Sequence, residues 1–412
     1  MSDKVDVVII GAGPSGAAAA AFLRKKGRTV EVIEKTHFPR FSIGESLLAQ
    51  SVAILDDAGL LPYVEAGGFQ FKNGAAFQYK DEYKSIYFPE KSAPGPGTTY
   101  QVLRSKFDKI LADGAAEMGA KVVYGEEVTA FESDEDGVRL TVRNEAGDVR
   151  TIEARFCLDG SGFGRTLSRL LDLEEPSNFP ARQGVFCQVV DNIDDPTFDR
   201  DKILVSIHPE NREVWYWLIP LADGITSMGV VGSPEFIQAA GANEQERLDN
   251  LVAQASRMSE VLKNRQPHRA AGTIHGYACS VKSLYGPSYA LLGNAAEFLD
   301  PVFSSGVTIA LKSAQLATDL VDRQLNGETV DWQKDFSDEL YVGIETFRAC
   351  VATWYDQRLQ RIIFNKPEEA NDIVRYLTSV LAGYAWDREN PIVREPMRYL
   401  QTVDRYLTTM AA

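Results

Sequence analysis

A β-branched run that breaks into glycines and then into alanines constrains this chain more than any other feature. Val5-Asp6-Val7-Val8-Ile9-Ile10 reads as a parallel strand buried on both faces. It leads into Gly11-Ala12-Gly13-Pro14-Ser15-Gly16, and an alanine-rich helix is expected from about Ala17 to Gly27, behind Lys25 and Lys26. Val30-Glu31-Val32-Ile33-Glu34 completes a β-α-β unit. Each glycine has its own mechanical role. Gly11 permits the tight turn, Gly13 lets backbone approach a diphosphate, and Gly16 lets helix and strand pack closely. Free N–H groups around Pro14 and Ser15, with the helix dipole, then favour the anion. Glu34, eighteen residues past Gly16, is placed to accept hydrogen bonds from ribose hydroxyls, and Lys35 joins it among the expected cofactor contacts.

The rest of the chain is organised around this unit. A helical pattern covers about Gln101 to Gly119, and Val122–Tyr124, Val128–Phe131, Val138–Val142 and Val149–Ala154 read as a β-meander with turns at Asp136-Gly137 and Ala146-Gly147-Asp148. Residues 180–290 read as an antiparallel sheet with few helices. Tyr289–Leu292 reads as another buried strand, followed by a loop and a helix to about Arg323, and the last 80 residues are helical and rich in aromatics. The expected class is α/β, divided as 1–175 and 286–325 for a Rossmann-like nucleotide-binding domain, 176–285 for a substrate domain and 326–412 for a helical region.

Charge and composition narrow the partners. With 58 acids against 43 Lys and Arg, the net charge of −15 disfavours nucleic acid or an anionic membrane as the main partner. No apolar stretch reaches the roughly 20 residues of a membrane span. The start Met1-Ser2-Asp3-Lys4 lacks signal-peptide character, so a cytoplasmic location is expected. The four cysteines lie far apart, and His268 and His275 are not spaced as a metal pair, so reduced thiols and no catalytic metal are expected.

Two segments separate the possible dinucleotides. Cys157-Leu158-Asp159-Gly160-Ser161-Gly162 resembles the strand-to-loop segment that follows the meander in aromatic-hydroxylase-type flavoproteins, and Leu292-Gly293-Asn294-Ala295-Ala296 resembles their second flavin motif. The resemblance implies FAD, with Asp159, Gly160, Gly293 and Asn294 near it. Asn294 stands where the motif usually carries an acid; an amide still hydrogen-bonds a hydroxyl but brings no charge. Arg104, opening Leu103-Arg104-Ser105-Lys106-Phe107-Asp108, fits a flavin-contacting position. Phe38-Pro39-Arg40-Phe41-Ser42-Ile43-Gly44-Glu45-Ser46 matches the family's entrance loop, placing Arg40 and Ser46 beside the cofactor. Glu45-Ser46 is no serine nucleophile, because no histidine partner can be placed near it.

Three further features resemble the flavin-dependent halogenases over about residues 5–320. Trp215-Tyr216-Trp217-Leu218-Ile219-Pro220 matches their Trp-x-Trp-x-Ile-Pro segment, whose indoles are thought to form a wall keeping organic substrate from the flavin. Period-2 geometry puts Trp215, Trp217 and Ile219 on one face. Lys72, in Phe69-Gln70-Phe71-Lys72-Asn73-Gly74, aligns with the lysine that presents oxidised halogen to substrate. Asp300-Pro301-Val302-Phe303-Ser304-Ser305-Gly306-Val307 matches the loop whose N–H groups, here of Ser305 and Gly306, would hold chloride or bromide beside the flavin. The tryptophan-specific enzymes carry a glutamate where Phe303 stands, so the phenol- and pyrrole-type members are the closer likeness.

The resemblance implies a two-component enzyme. A separate flavin reductase would supply reduced FAD, since no second fingerprint for a nicotinamide is visible. The substrate would be an electron-rich aromatic ring, free or tethered to an acyl carrier protein. An FAD-dependent monooxygenase or dehydrogenase, a prenyl-lipid reductase, or a flavin-binding protein without turnover are the alternative readings.

Overall fold

The computed structural model describes residues 5–177, 179–366 and 371–411; the polar start Met1–Lys4 lies outside them. The β-branched run forms strand Val5–Ile10, which pairs in parallel with Val30–Glu34 on one side and Val149–Asp159 on the other. Lys121–Tyr124 extends this sheet beyond Val30–Glu34, and Tyr289–Leu291 beyond Val149–Asp159, both in parallel. A parallel sheet covered on both faces needs apolar strands throughout, which is why Val7, Val8 and Ile9 have no exposed surface.

Helix Pro14–Lys25 starts three residues earlier than expected, with Pro14 supplying the first-turn residue that needs no N–H partner. Its buried alanines Ala17 to Ala21 let it press against helices Gly306–Leu325 and Arg104–Glu117. A Cβ on Gly16 would sit 1.9 Å from the Gly11 carbonyl oxygen, so close packing requires glycine here. Gly11 itself has φ +89°, the left-handed region that the turn demands.

The meander consists of Glu126–Asp134, Gly137–Asn144 and the first half of Val149–Asp159, all antiparallel. Its last strand then continues into the parallel sheet. One strand thus belongs to both, ending at Asp159 where the loop Gly160–Gly164 meets Gly11.

The second sheet has seven strands in the order Gln266–His275, Gln183–Val190, Ile225–Gly232, Trp215–Pro220, Lys202–Ile207, Gly74–Tyr79 and Glu82–Tyr87. The hairpin 74–87 comes from the stretch expected in the nucleotide-binding domain, and Gly74–Tyr79 joins Lys202–Ile207 in parallel. Helices Pro234–Ala239, Glu244–Val252 and Ser256–Val261 cover one face of this sheet. Helices Glu339–Tyr355, Arg358–Phe364, Asp372–Leu381 and Pro396–Ala411 form the C-terminal layer. No helix among the described residues is long and apolar enough to cross a membrane, and no group of three or more metal-ligating side chains is assembled there.

Candidate active site

A cavity of about 640 Å³ runs from the glycine turn to the second sheet. At its nucleotide end lie Gly11, Gly13, Pro14, Ser15, Glu34, Lys35 and Arg40; at its inner end lie Trp215, Trp217, Ile219, Asn294, Gly306 and Val307. Arg104, Ser46 and Gly160 complete the wall between them. Gly16, Asp159, Gly293, Ser305 and Lys72 are not part of its lining. Asp159 instead accepts hydrogen bonds from the N–H groups of Ser161 (2.9 Å) and Leu167 (2.7 Å), which orders the Gly160 loop. Gly293 packs against Ala310, where a Cβ would come within 2.7 Å.

The nucleotide end fits an FAD adenosine diphosphate. An added Cβ on Gly13 would meet nothing closer than the Arg40 guanidinium at 3.4 Å, so this backbone faces open space beside a cation. Glu34 accepts from the N–H of Ala12 at 2.9 Å and from Thr36, which fixes the carboxylate at the cavity rim with lone pairs to spare. Arg40 and Arg104 both contact Asp108, a fully buried carboxylate: Arg104 in a two-pronged pair at 2.7 and 3.0 Å, Arg40 at 3.3 Å. A third arm of Arg104 donates to the Ile43 carbonyl at 2.5 Å, tying the entrance loop to the helix. Lys35 sits at the rim in an exposed ion pair with Glu127 at 2.7 Å.

At the inner end, the side chain of Asn294 makes no hydrogen bond to the described residues and remains available to a ribityl hydroxyl. Helix Gly306–Leu325 begins behind a left-handed Ser304 (φ +57°), and its first N–H groups, those of Gly306 and Val307, have no backbone acceptor. Ser305 is buried and carries the start of that helix. Phe303 faces away, edge-on to Trp354 at 5.7 Å.

The strand Trp215–Pro220 alternates as period 2 requires. Trp215, Trp217 and Ile219 join the main core and the cavity wall, while Tyr216 and Leu218 join the core beneath the second sheet. The two indole rings stand 5.9 Å apart. Trp217 lies over Gly229 of the neighbouring strand, where a Cβ would come within 2.4 Å of its ring.

Lys72 lies outside the cavity yet is joined to its wall. It ends strand Gln70–Lys72, is 1% exposed, and donates from Nζ to the Leu47 carbonyl at 2.7 Å. It forms no ion pair among the described residues, and its ammonium stands 5.1 Å from the centre of the Phe88 ring. Burial without a counter-charge pushes its pKa down to about 7. The pairing registers put four side chains on one face: Lys72 opposite Thr99, Gln101 two residues further along, and Ser46 bridged to Gln101. Ser46 Oγ, Thr99 Oγ1 and Gln101 Oε1 are buried without a hydrogen-bond partner. A row of polar atoms therefore leads from Ser46, on the cavity wall, to Lys72.

Sequence reasoning left Glu45 and Asp300 without a role. Glu45 lines the cavity, accepts from Gln188 Nε2 at 2.6 Å, and is pushed up to about 7 by burial despite Arg104 and Arg269 nearby. Asp300 is pushed up to about 6 by burial, partly offset by Val302 N–H, Tyr355 and Arg182. Tyr355 and Ser227, which meet the tryptophan wall, carry no local motif that could have announced them.

Comparisons with known proteins agree with this geometry. The FAD binding domain family matches residues 4–333. A 1H-pyrrole-2-carbonyl-[peptidyl-carrier protein] chlorinase from Pseudomonas fluorescens is 32% identical, over 86% of this chain and 83% of its own. Among solved structures, a flavoprotein/dehydrogenase from Cytophaga hutchinsonii superposes with a TM-score of 0.96 at 40% identity, covering all of both chains. A flavin-dependent brominase superposes with a TM-score of 0.81 at 25% identity, covering 97% of this chain and 99% of that one.

Proposed function

We propose a halogenating function for this chain, which belongs to the FAD-binding-domain family together with the flavin-dependent halogenases. Reduced FAD and oxygen would supply the oxidising equivalent that a chloride or bromide ion consumes. The substrate is an electron-rich aromatic ring, a phenol or a pyrrole, presented free or on an acyl carrier protein. The carrier-bound form draws support from the Pseudomonas relative, a chlorinase of a carrier-bound pyrrole. A separate flavin reductase delivers the reduced cofactor.

The chain's own residues divide the work. The unengaged N–H groups of Gly306 and Val307, with Ser305 beside them, offer a halide the positive end of a helix. Trp215 and Trp217 fill the inner wall and keep a ring-sized substrate out of the cavity. The polar row Ser46, Gln101 and Thr99 gives a small hydrogen-bonding species a path inward. Lys72 receives it. The observation that carries the reading is this amine: fully buried, without a carboxylate, half deprotonated near pH 7, and one residue row from the cavity wall. A neutral amine can bind or take up electrophilic halogen, whereas an ammonium cannot act as the nucleophile.

The test supplies FAD, a flavin reductase and a nicotinamide, with chloride, bromide or no halide, against phenols and pyrroles in free and carrier-bound form. A halogen isotope pattern that disappears without halide supports the proposal. The full-length match to a flavoprotein/dehydrogenase favours a second reading, in which the flavin removes hydride from the substrate. A desaturated product formed equally in all three conditions selects that reading, and an oxygenated product selects a monooxygenase.

A further inference from the structure

Each indole of the cavity wall ends on a hydroxyl, and the hydroxyl that Trp215 meets leads on to a buried carboxyl. Trp215 Nε1 donates to Tyr355 Oη at 3.1 Å, and Tyr355 Oη donates to Asp300 Oδ2 at 2.9 Å. Trp217 Nε1 donates to Ser227 Oγ at 3.2 Å. The direction of the first chain is dictated by chemistry. An indole nitrogen can only donate, so the phenol oxygen must accept from it and send its own proton onward to the carboxylate.

Tyr355 is the last residue of helix Glu339–Tyr355, in the C-terminal layer. Its ring is clamped by the Arg182 guanidinium, 4.0 Å from the ring centre. Asp300 is fixed from its other oxygen, which accepts the Val302 N–H at 3.0 Å, and Arg182, Tyr277 and Tyr355 are the titratable groups facing it. The Tyr355 hydroxyl thus hydrogen-bonds the C-terminal layer to Trp215.

We propose that Tyr355 is a positioning residue for the cavity wall, holding the Trp215 indole through a chain that ends on ionised Asp300. It touches no reacting atom; it acts through Trp215. The inference takes the cavity as the flavin's but needs no halogen chemistry. Its pH dependence follows from the chain's direction. A protonated Asp300 brings a donor of its own, the phenol oxygen then faces two donors, and the indole loses its fixed acceptor. Burial sets that change at about pH 6, so the wall is locked above this pH and loosened below it.

The indole N–H resonances of the five tryptophans in 15N-tryptophan-labelled protein test this without cofactor or substrate. Trp215→Phe assigns the relevant peak. In the wild type this peak is expected to shift with a midpoint near pH 6, and the shift is lost in Tyr355→Phe, which keeps the ring under Arg182 and removes only the hydroxyl. Asp300→Asn is expected to abolish the shift as well. A wild-type Trp215 resonance that ignores pH, or one that titrates identically in Tyr355→Phe, overturns the proposal. Where Tyr355→Phe fails to fold, Asp300→Asn carries the same comparison, and the test stands apart from any failure to detect halogenated product.

Discussion

Gly229 shows how a single hydrogen atom can hold an aromatic wall in place. The edge of the Trp217 ring sits against it because the position has no side chain, and a methyl group would come within 2.4 Å of the indole and 2.8 Å of Phe186. Gly229→Ala is expected to cost about 1–3 kcal/mol by overpacking and to tilt Trp217 into the cavity. Denaturant unfolding and tryptophan emission check both, and an unchanged midpoint and spectrum would contradict this packing. Lys72 makes the opposite case, a polar group that costs stability where it stands. Its pKa falls from the ordinary 10.5 to about 7 on folding, so the unfolded chain holds more protons across that interval. Stability therefore rises with pH between about 7 and 10.5, and the burial penalty is fully present below 7. Lys72→Met should stabilise the fold, with a gain that is greatest below pH 7 and shrinks towards pH 10; a gain independent of pH would contradict an uncompensated buried amine.

At the scale of elements, the glycine turn separates fold from binding. Gly16 is needed for packing, since a Cβ there would strike the Gly11 carbonyl at 1.9 Å, whereas Gly13 has only the end of Arg40 within reach. Gly13→Val should therefore fold and purify colourless, while Gly16→Val should lose both cofactor and stability; a yellow, FAD-loaded Gly13→Val protein would contradict the assignment of the diphosphate site. This unit was legible in the sequence because strand, turn and helix are contiguous and each glycine has a local reason. The alternation of Trp215, Trp217 and Ile219 was equally legible, since period 2 needs no tertiary information. Two other elements were not. Hairpin 74–87 lies in the second sheet because its partner strand Lys202–Ile207 is over a hundred residues away, and nothing local reports such a pairing. Tyr355 looked like one aromatic among many in a helical tail, and only tertiary packing brings its hydroxyl to Trp215.

The whole molecule joins two chemistries that the chain keeps apart in space. The cavity between the sheets would hold the cofactor and halide, while Lys72 lies outside its lining and beside a row of buried, unpaired oxygens. Such oxygens are costly unless something polar visits them, which is the physical reason to regard the row as a path. Thr99→Val, which is isosteric and removes the hydroxyl of the residue paired with Lys72, should lower the yield of halogenated product per flavin oxidised and raise peroxide release, without changing FAD occupancy. An unchanged yield would exclude Thr99 from the path. The central claim concerns Lys72 itself, and one comparison tests it most directly: wild type and Lys72→Ala, both loaded with FAD and supplied with reduced flavin, oxygen, bromide and a responsive phenol or pyrrole. The variant is expected to consume oxygen and bind FAD as the wild type does yet form no brominated product. Brominated product from Lys72→Ala at the wild-type rate would contradict the role of this amine in halogen transfer.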